Sequence, residues 1–251
     1  MENAQYARWS VVAALLAALW MLLPACSDDG GVCVSTSGEV ARQVRVTGDF
    51  NQVAVYDNVS LILTSDSAGP VVVEAGRNLM GGIKTTVENG VLSLRNTNTC
   101  NWLRSYGKPV NVYVSNSKIW RIEYNASGNV GTGGTYRTDS LQVEVWGGCG
   151  TIELNLDIWQ GRFSLNMGTV DLRLHGLSAI TSVYTSDYGL YDARDLQTGF
   201  TFITAKGSND CYVRATQALE ATIESIGNIY YTGNPKSVST EIRGTGRVIP
   251  F

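Results

Sequence analysis

The residues of this chain that look most like a catalytic loop lie at positions 145–157, "VWGGCGTIELNLD". Three glycines and Cys149 precede an alternating apolar run, which could be a phosphate-binding loop, a reactive thiol or a turn into a strand. A phosphate cradle needs a helix after its glycines, whereas the run that follows here has the period of a strand. Cys149 also has no His, Lys or Arg within five residues that would stabilise a thiolate. The segment therefore predicts a turn that leads into a strand.

Residues suited to metal binding or acid–base catalysis are few and scattered. His175, the only histidine, stands next to Gly176 and is expected in a surface turn, which removes most zinc-site arrangements. A calcium site needs about six to eight oxygen ligands, but Asp171 and Asp187 each occur in a single repeat. We therefore predict no catalytic residues, no metal ion and no cofactor, and a chain that is not an enzyme.

Aromatic side chains remain as candidates for ligand binding. Trp102, Trp146, Trp159 and Tyr230 could offer flat ring faces to a sugar or to a protein partner. Tyr230 has an aromatic neighbour, Tyr231, so one of the two must face outward if the segment is a strand. The alternative is that these rings line the core.

The composition excludes one class of partner. The chain has 19 basic and 22 acidic residues, a net charge of −3 and no basic block, which disfavours nucleic acid binding. Only 16% of the residues are charged and 27 are glycine, as in a β-protein with many turns.

The N-terminal residues have the pattern of an export signal. The apolar run at 11–24 has 14 residues, fewer than the roughly 20 that a membrane-spanning helix needs. Residues 23–26, "LPAC", resemble a lipoprotein processing site, so residues 1–25 are expected to be removed and Cys26 to carry the lipid anchor. The acidic run at 27–29 resembles a surface-export signal of lipoproteins in the Bacteroides group. An outer-membrane lipoprotein of the cell envelope is the predicted location, with surface display favoured over periplasmic retention and both left open.

The other cysteines are expected to meet an oxidising compartment. A disulfide between Cys33 and Cys100 is the favoured pairing among those that four cysteines allow. Cys149 and Cys211 are expected to be small packing residues.

Short alternating runs separated by turn residues fill positions 43–124, and a repeat of about 19 residues follows. The repeat shows as a turn column with spacings of 18, 21, 20, 18 and 19 residues, made of Gly150, Gly168, Gly189, Asn209, Gly227 and Gly246. Apolar residues two and four positions after each member would share one face of a strand.

These patterns predict an all-β fold, namely a parallel β-helix or β-solenoid with coils of about 18–21 residues. The alternative is a twisted antiparallel β-sandwich, which the N-terminal half fits equally well. The predicted domain covers residues 40–251, with a strand-rich half at 40–123 and a repeat half at 124–251. A lipidated flexible tether at 26–39 would precede it.

Residues 55–96 and 100–115 carry three further features: "VVVEAGRNL", the hairpin "VENGVLSL" and the run "CNWLRSY" shortly before Lys108-Pro109. In these features the chain resembles the family called "putative auto-transporter adhesin, head GIN domain", over about residues 44–251. The resemblance implies an exported, often lipid-anchored, β-solenoid-like protein, and it brings no catalytic residues with it.

The predicted function is a non-enzymatic, lipid-anchored envelope protein whose solenoid presents a binding or adhesion surface. Its partners would be the membrane, through the anchor, and a glycan or protein ligand, with the oligomeric state left open. One alternative is a carbohydrate-binding or carbohydrate-active protein. Another is a structural component that assembles through its coil ends, because the last repeat leaves an unpaired edge.

Overall fold

The computed structural model describes residues 36–65, 69–99 and 108–251, which form one compact unit from Thr36 to Phe251. The described residues form 18 β-strands and a single turn of 3-10 helix at Met80–Gly82. Stacked strands make a β-solenoid of about six turns, so the predicted fold class is confirmed. None of the described segments is an apolar helix of membrane-spanning length.

The strands follow one another with short connections. In chain order they are β1 (Val40–Arg45), β2 (Gln52–Asp57), β3 (Val59–Thr64), β4 (Val71–Gly76), β5 (Ile83–Glu88), β6 (Val91–Asn96), β7 (Val110–Ser115), β8 (Arg121–Ala126), β9 (Val130–Thr132), β10 (Tyr136–Gly148), β11 (Thr151–Leu165), β12 (Asp171–Thr185), β13 (Tyr191–Ala205), β14 (Cys211–Arg214), β15 (Ala218–Ile223), β16 (Ile229–Thr232), β17 (Ser237–Ile242) and β18 (Val248–Pro250).

Parallel pairing between coils builds two main faces. The front face runs in the order β6, β2, β8, the C-terminal parts of β10 to β13, β15 and β17. The back face runs in the order β7, β3, β9, the N-terminal parts of β11 to β13, β14, β16 and β18. The long strands β11, β12 and β13 pass from the back face to the front face, so each of these coils contributes to both.

The core lies between the two faces and is built from columns of inward side chains. Strand alternation sends every second residue inward, and the parallel register places it on the equivalent residue of the next coil. One buried column of the front face consists of Val53, Ile122, Val143, Phe163, Val183, Ile203 and Ala221. One buried column of the back face consists of Leu61, Val130, Ile152, Leu172, Tyr191, Cys211 and Ile229. Each coil thus hides its apolar stripe only against its neighbours.

The structure corrects one member of the predicted turn column. Ile152 pairs with Leu172 rather than with Val170. Gly168 lies over Gly148, because a Cβ on Gly168 would stand 2.6 Å from the Gly148 carbonyl oxygen. Val170 instead occupies the column position, below Gly189. The slip is two residues, and a shift of two keeps every side chain on the same face of a strand, so the alternation of apolar residues could not reveal it.

The N-terminal half combines both patterns that its sequence allowed. Its strands β2, β3, β6, β7, β8 and β9 pair in parallel and belong to the solenoid. Antiparallel strands close that end: β1 pairs with β4, β4 with β7, and β5 with β6. The half is therefore a solenoid with an antiparallel cap and is not a separate sandwich.

The C-terminal end of the solenoid is open in the described part of the chain. Strand β17 pairs only with β15, and β18 only with β16. Ile242 of β17 continues an inward column from Ile223, yet Ile242 is 50% exposed whereas Ile223 is 0% exposed. The last coil therefore packs on the coil before it, whereas no further coil packs on its own outer side.

These two isoleucines allow a matched test of the open end. Ile223→Ala should lower the free energy of unfolding by about 2–5 kcal/mol, because it leaves a cavity in the core. Ile242→Ala should lower it by less than about 1 kcal/mol, because half of that side chain already contacts water. Urea unfolding of the two variants measures both values, and equal losses would mean that the last coil is covered in solution.

Candidate functional site

The outer surface of the front face carries two rows of side chains along the coil axis. The first row consists of Gln52, Arg121, Gln142, Arg162, Ser182, Phe202, Glu220 and Ser239. The second row consists of Glu123, Glu144, Ser164, Tyr184, Thr204, Thr222 and Glu241. Neighbouring parallel strands lie about 4.8 Å apart, so successive members of a row are direct neighbours.

The N-terminal part of these rows is a closed hydrogen-bonded network. Arg121 donates from Nε to Glu144 Oε2 at 3.0 Å and from Nη2 to Glu123 Oε2 at 3.1 Å. Gln142 donates to Glu144 Oε1 at 2.6 Å, and the Tyr56 hydroxyl donates to Glu123 at 3.1 Å. Burial raises the pKa of Glu144, but the hydrogen bonds and charge of Arg121 outweigh it, so the pKa lies below its usual range. The polar groups of this network already have partners.

The C-terminal part of the rows is different and forms a groove of about 300 Å³. We call it the hydroxyl groove. It is lined on its polar side by Arg162, Ser164, Ser182, Tyr184, Thr204, Glu220 and Thr222. Among the residues that the structure describes, none forms a hydrogen bond or an ion pair with the Arg162 guanidinium, the Glu220 carboxylate or the four Ser and Thr hydroxyls. These groups are free to bind something else.

Two aromatic rings border the hydroxyls. Phe202 lies in the first row, is 37% exposed and lines the groove. Tyr184 lies in the second row, one strand away, with the Lys206 ammonium 5.7 Å from its ring centre. Lys206 is itself held by Glu224 at 2.9 Å. The groove therefore presents apolar ring surface beside unpaired hydrogen-bonding groups.

A second, smaller cavity of about 150 Å³ continues the groove toward β8. It is lined by Trp120, Ser140, Leu141, Gln142, Gln160 and Arg162. Arg162 lines both cavities, and Trp120 is partly exposed at the far end. From β8 to β15 the surface crosses five strand steps, a length of about 24 Å.

Of the aromatic residues predicted as ligand contacts, the three that the structure describes do not line a common cavity. Trp146 and Trp159 are exposed, but neither lines a cavity of the front face. Tyr230 lies on the back face, stacked on Tyr212 at 5.2 Å between ring centres, with Phe251 edge-on at 6.3 Å. Trp102 lies outside the described residues, as do Cys26, Cys33 and Cys100, so the predicted anchor and disulfide stay predictions.

Sequence reasoning missed the importance of Phe202 and Arg162 to this surface. Phe202 stands in the alternating run "GFTFITA" at 199–205, where the outward position predicts exposure. No pattern along the chain, however, places Phe202 beside residues of β11 and β12. That information lies in the register between coils.

His175 is not in a turn, which corrects the prediction for this residue. It lies within β12, with Nε2 3.4 Å from Glu153 and Nδ1 3.4 Å from Asp195 on the two adjacent coils. The turn prediction rested on the neighbouring Gly176, which adopts a φ of +100° inside the strand. Across the described residues, no group of three or more His, Cys, Asp or Glu side chains is arranged to hold a metal ion.

Comparison with known families gives a match over most of the chain. The model of the family described as "Putative auto-transporter adhesin, head GIN domain" matches residues 49–235. No curated protein sequence matches significantly.

Several solved structures share the fold. A putative adhesin from Bacteroides fragilis superimposes with a TM-score of 0.76 at 19% identity, covering 85% of this chain and 97% of that one. A putative lipid binding protein from Parabacteroides distasonis gives 0.62 at 20% identity, with the same coverage. A putative adhesin from Parabacteroides merdae gives 0.60 at 15% identity, covering 87% of this chain and 98% of that one. At these identities the likeness concerns the fold alone.

A buried acid lies inside the solenoid at a turn. Asp187 is 2% exposed, and neither of its carboxylate oxygens has a hydrogen-bond partner of good geometry in the described structure. Burial raises the pKa of Asp187 to about 6, although the nearby Gly189 backbone opposes the shift. Burial also raises the pKa of the neighbouring Cys211 thiol to about 11, so Cys211 is protonated at neutral pH. Cys211 is thus a packing residue of the back face, whereas Cys149 is exposed, so the packing role predicted for Cys149 was wrong.

The raised pKa of Asp187 makes stability depend on pH. The unfolded chain titrates this acid near 3.8 and the folded chain near 6, so its contribution is fully present below about pH 4 and lost as pH rises through about 6. The loss should be roughly 3 kcal/mol. Asp187→Asn, which is neutral throughout, should remove it and be the more stable protein at pH 8.

Chemical denaturation of wild type and Asp187→Asn from pH 4 to pH 8 measures this difference. Asp139→Asn is the matched control, because it makes the same chemical change at an exposed position. Parallel stability curves for wild type and Asp187→Asn would contradict the burial of a charged form.

Proposed function

We propose that this chain, which belongs to the family described as "Putative auto-transporter adhesin, head GIN domain", is a non-enzymatic, lipid-anchored envelope protein that binds its ligand through the hydroxyl groove. Family membership supports an adhesion-like role at the cell envelope or surface. The observation that carries the choice of site is the contrast within one face. Arg121, Glu123 and Glu144 satisfy one another, whereas the groove beside them presents free polar groups next to exposed rings.

The position of the groove on strands favours binding. Its hydroxyls and rings stand on β11, β12, β13 and β15, which are locked to each other in register by the coil stacking. Side chains on such a scaffold have little backbone freedom to lose, so a ligand meets a site that is already formed. Binding there also breaks no ion pair within the protein, because Arg162 and Glu220 have none in the described structure.

The N-terminal sequence pattern supports the proposed anchor. A processed "LPAC" site would leave Cys26 as the acylated first residue, and acyl chains bury enough methylene groups to hold the domain at a membrane. A surface-attached solenoid with a side groove is a suitable device for adhesion.

Removal of the anchor residue should release the protein. Cys26→Ala should move the chain from the membrane fraction to the soluble fraction, because no acyl chain can then be attached. Cell fractionation with immunoblotting measures the change, and Cys149→Ala serves as the matched control. Retention of Cys26→Ala in membranes would contradict the proposed anchor.

Removal of the two groove rings should weaken attachment. The double variant Tyr184→Ala/Phe202→Ala should bind a cell or mucus-coated surface about tenfold less well, because ring contacts contribute roughly 0.5–1.5 kcal/mol each. Adhesion of cells that display the full chain measures this. Tyr188→Ala removes an exposed ring outside the groove and should adhere like wild type. If Tyr188→Ala loses adhesion equally, the groove is not the binding site.

A further inference from the structure

The hydroxyl groove contains an unusual positive charge. Arg162 stands where the two cavities of the front face meet, and it has no carboxylate partner among the described residues. Other arginines of the same surface are held: Arg121 pairs with Glu144, and Arg243 lies 2.8 Å from Glu241 and 3.3 Å from Glu224. Along the face, carboxylates stand on both sides of Arg162, Glu144 on β10 and Glu220 on β15, but neither forms an ion pair with it.

We infer that the groove binds an acidic glycan, a linear oligosaccharide of the uronic-acid type whose carboxylate pairs with Arg162. This inference rests on the proposed function and specifies its ligand. The sugar on one side of the acidic unit lies against Phe202 and Tyr184, and the sugar on the other side lies against Trp120. The chain runs along the coil axis.

The hydroxyls of the groove match a sugar. Ser164, Ser182, Thr204 and Thr222 each supply one donor and two acceptor sites, the same chemistry that a sugar hydroxyl offers in return. The rings of Phe202 and Tyr184 offer apolar surface to the C–H groups of a pyranose. Two connected cavities over about 24 Å suit an extended chain better than a compact ligand.

The environment of Arg162 selects for a carboxylate. A guanidinium binds a carboxylate through two parallel hydrogen bonds, which gives direction as well as attraction. Nearby side chains in the smaller cavity, Gln142 and Gln160, are neutral. Glu144 pairs with Arg121, which it shares with Glu123, so that network keeps one net negative charge. Glu220 stands three strand steps away, about 14 Å, beyond the screening length of roughly 10 Å at 0.1 M salt. Among the described residues, no carboxylate therefore competes with the ligand for Arg162.

The test compares two tetrasaccharides that differ only in charge. Isothermal titration of the purified chain with tetragalacturonate, and with its carboxyl-reduced galactan counterpart, should show tighter binding of the acid, and more so at low ionic strength. Arg162→Ala should weaken binding of the acid at least tenfold and leave the neutral sugar unchanged, because a charge-assisted pair contributes roughly 1.5–3 kcal/mol. Arg162→Lys should recover part of the lost affinity, because the positive charge remains but the two parallel hydrogen-bond donors of the guanidinium are absent.

Arg247→Ala is the matched control, since it removes an exposed arginine that lines neither cavity. Equal binding of the two sugars, or an equal loss with Arg247→Ala, would overturn the inference. So would binding to anionic phosphatidylglycerol vesicles without binding to tetragalacturonate. If groove variants still abolish cell adhesion in that case, the groove remains the adhesion site and only its ligand class is wrong. If adhesion is also insensitive to Tyr184→Ala/Phe202→Ala, the proposed function fails with it.

Discussion

The parallel register between successive coils is the constraint on which the other features of this structure depend. No coil can bury its apolar stripe alone, so each inward residue needs an equivalent residue above and below it. Ile152 on Leu172 and Phe163 on Val183 satisfy that need on the back and front faces. A register slip of one residue would point these side chains outward into solvent. The same register aligns the outward residues, which is why Arg162, Ser182 and Phe202 stand in a row although about 20 residues separate each from the next.

The two ends of the solenoid terminate in different ways. Antiparallel strands β1, β4 and β5 change direction at the N-terminal end and so interrupt the parallel series there. At the other end β17 keeps an unpaired edge in the described chain, and Val238 and Ile242 stay exposed at inward positions. Charged residues beside that edge, Glu241 and Arg243, are joined to each other, and charges of this kind discourage pairing with a foreign strand.

The sequence was informative wherever a feature depends on alternation and turns within one coil. Strand alternation and turn residues predicted the solenoid, the inward stripe and the packing role of Cys211. The sequence did not reveal features that depend on how different coils align with each other. Gly168 was misaligned by two residues because both turn positions accept glycine, and a shift of two conserves alternation. His175 was assigned to a turn because of Gly176, and its carboxylate neighbours, Glu153 and Asp195, could not be predicted because they come from other coils. Arg162 drew no attention for the same reason: its lack of a partner is a property of three adjacent strands.

The carboxyl groups of the front face distinguish a surface that only binds a glycan from one that cleaves it. Hydrolysis of a glycosidic bond usually needs two carboxyl groups about 5–10 Å apart, one of them protonated at the working pH. The lining of the hydroxyl groove contains one carboxylate, Glu220, and the adjoining cavity contains none. The acid with a suitably raised pKa, Asp187, points into the core at a turn and lines neither cavity. The acid with the raised pKa and the carboxylate of the groove are therefore different residues in different places, and the two cavities offer hydroxyls, aromatic rings, one guanidinium and one carboxylate. The arrangement of two carboxyl groups that glycosidic hydrolysis needs is therefore not found in the lining of these two cavities.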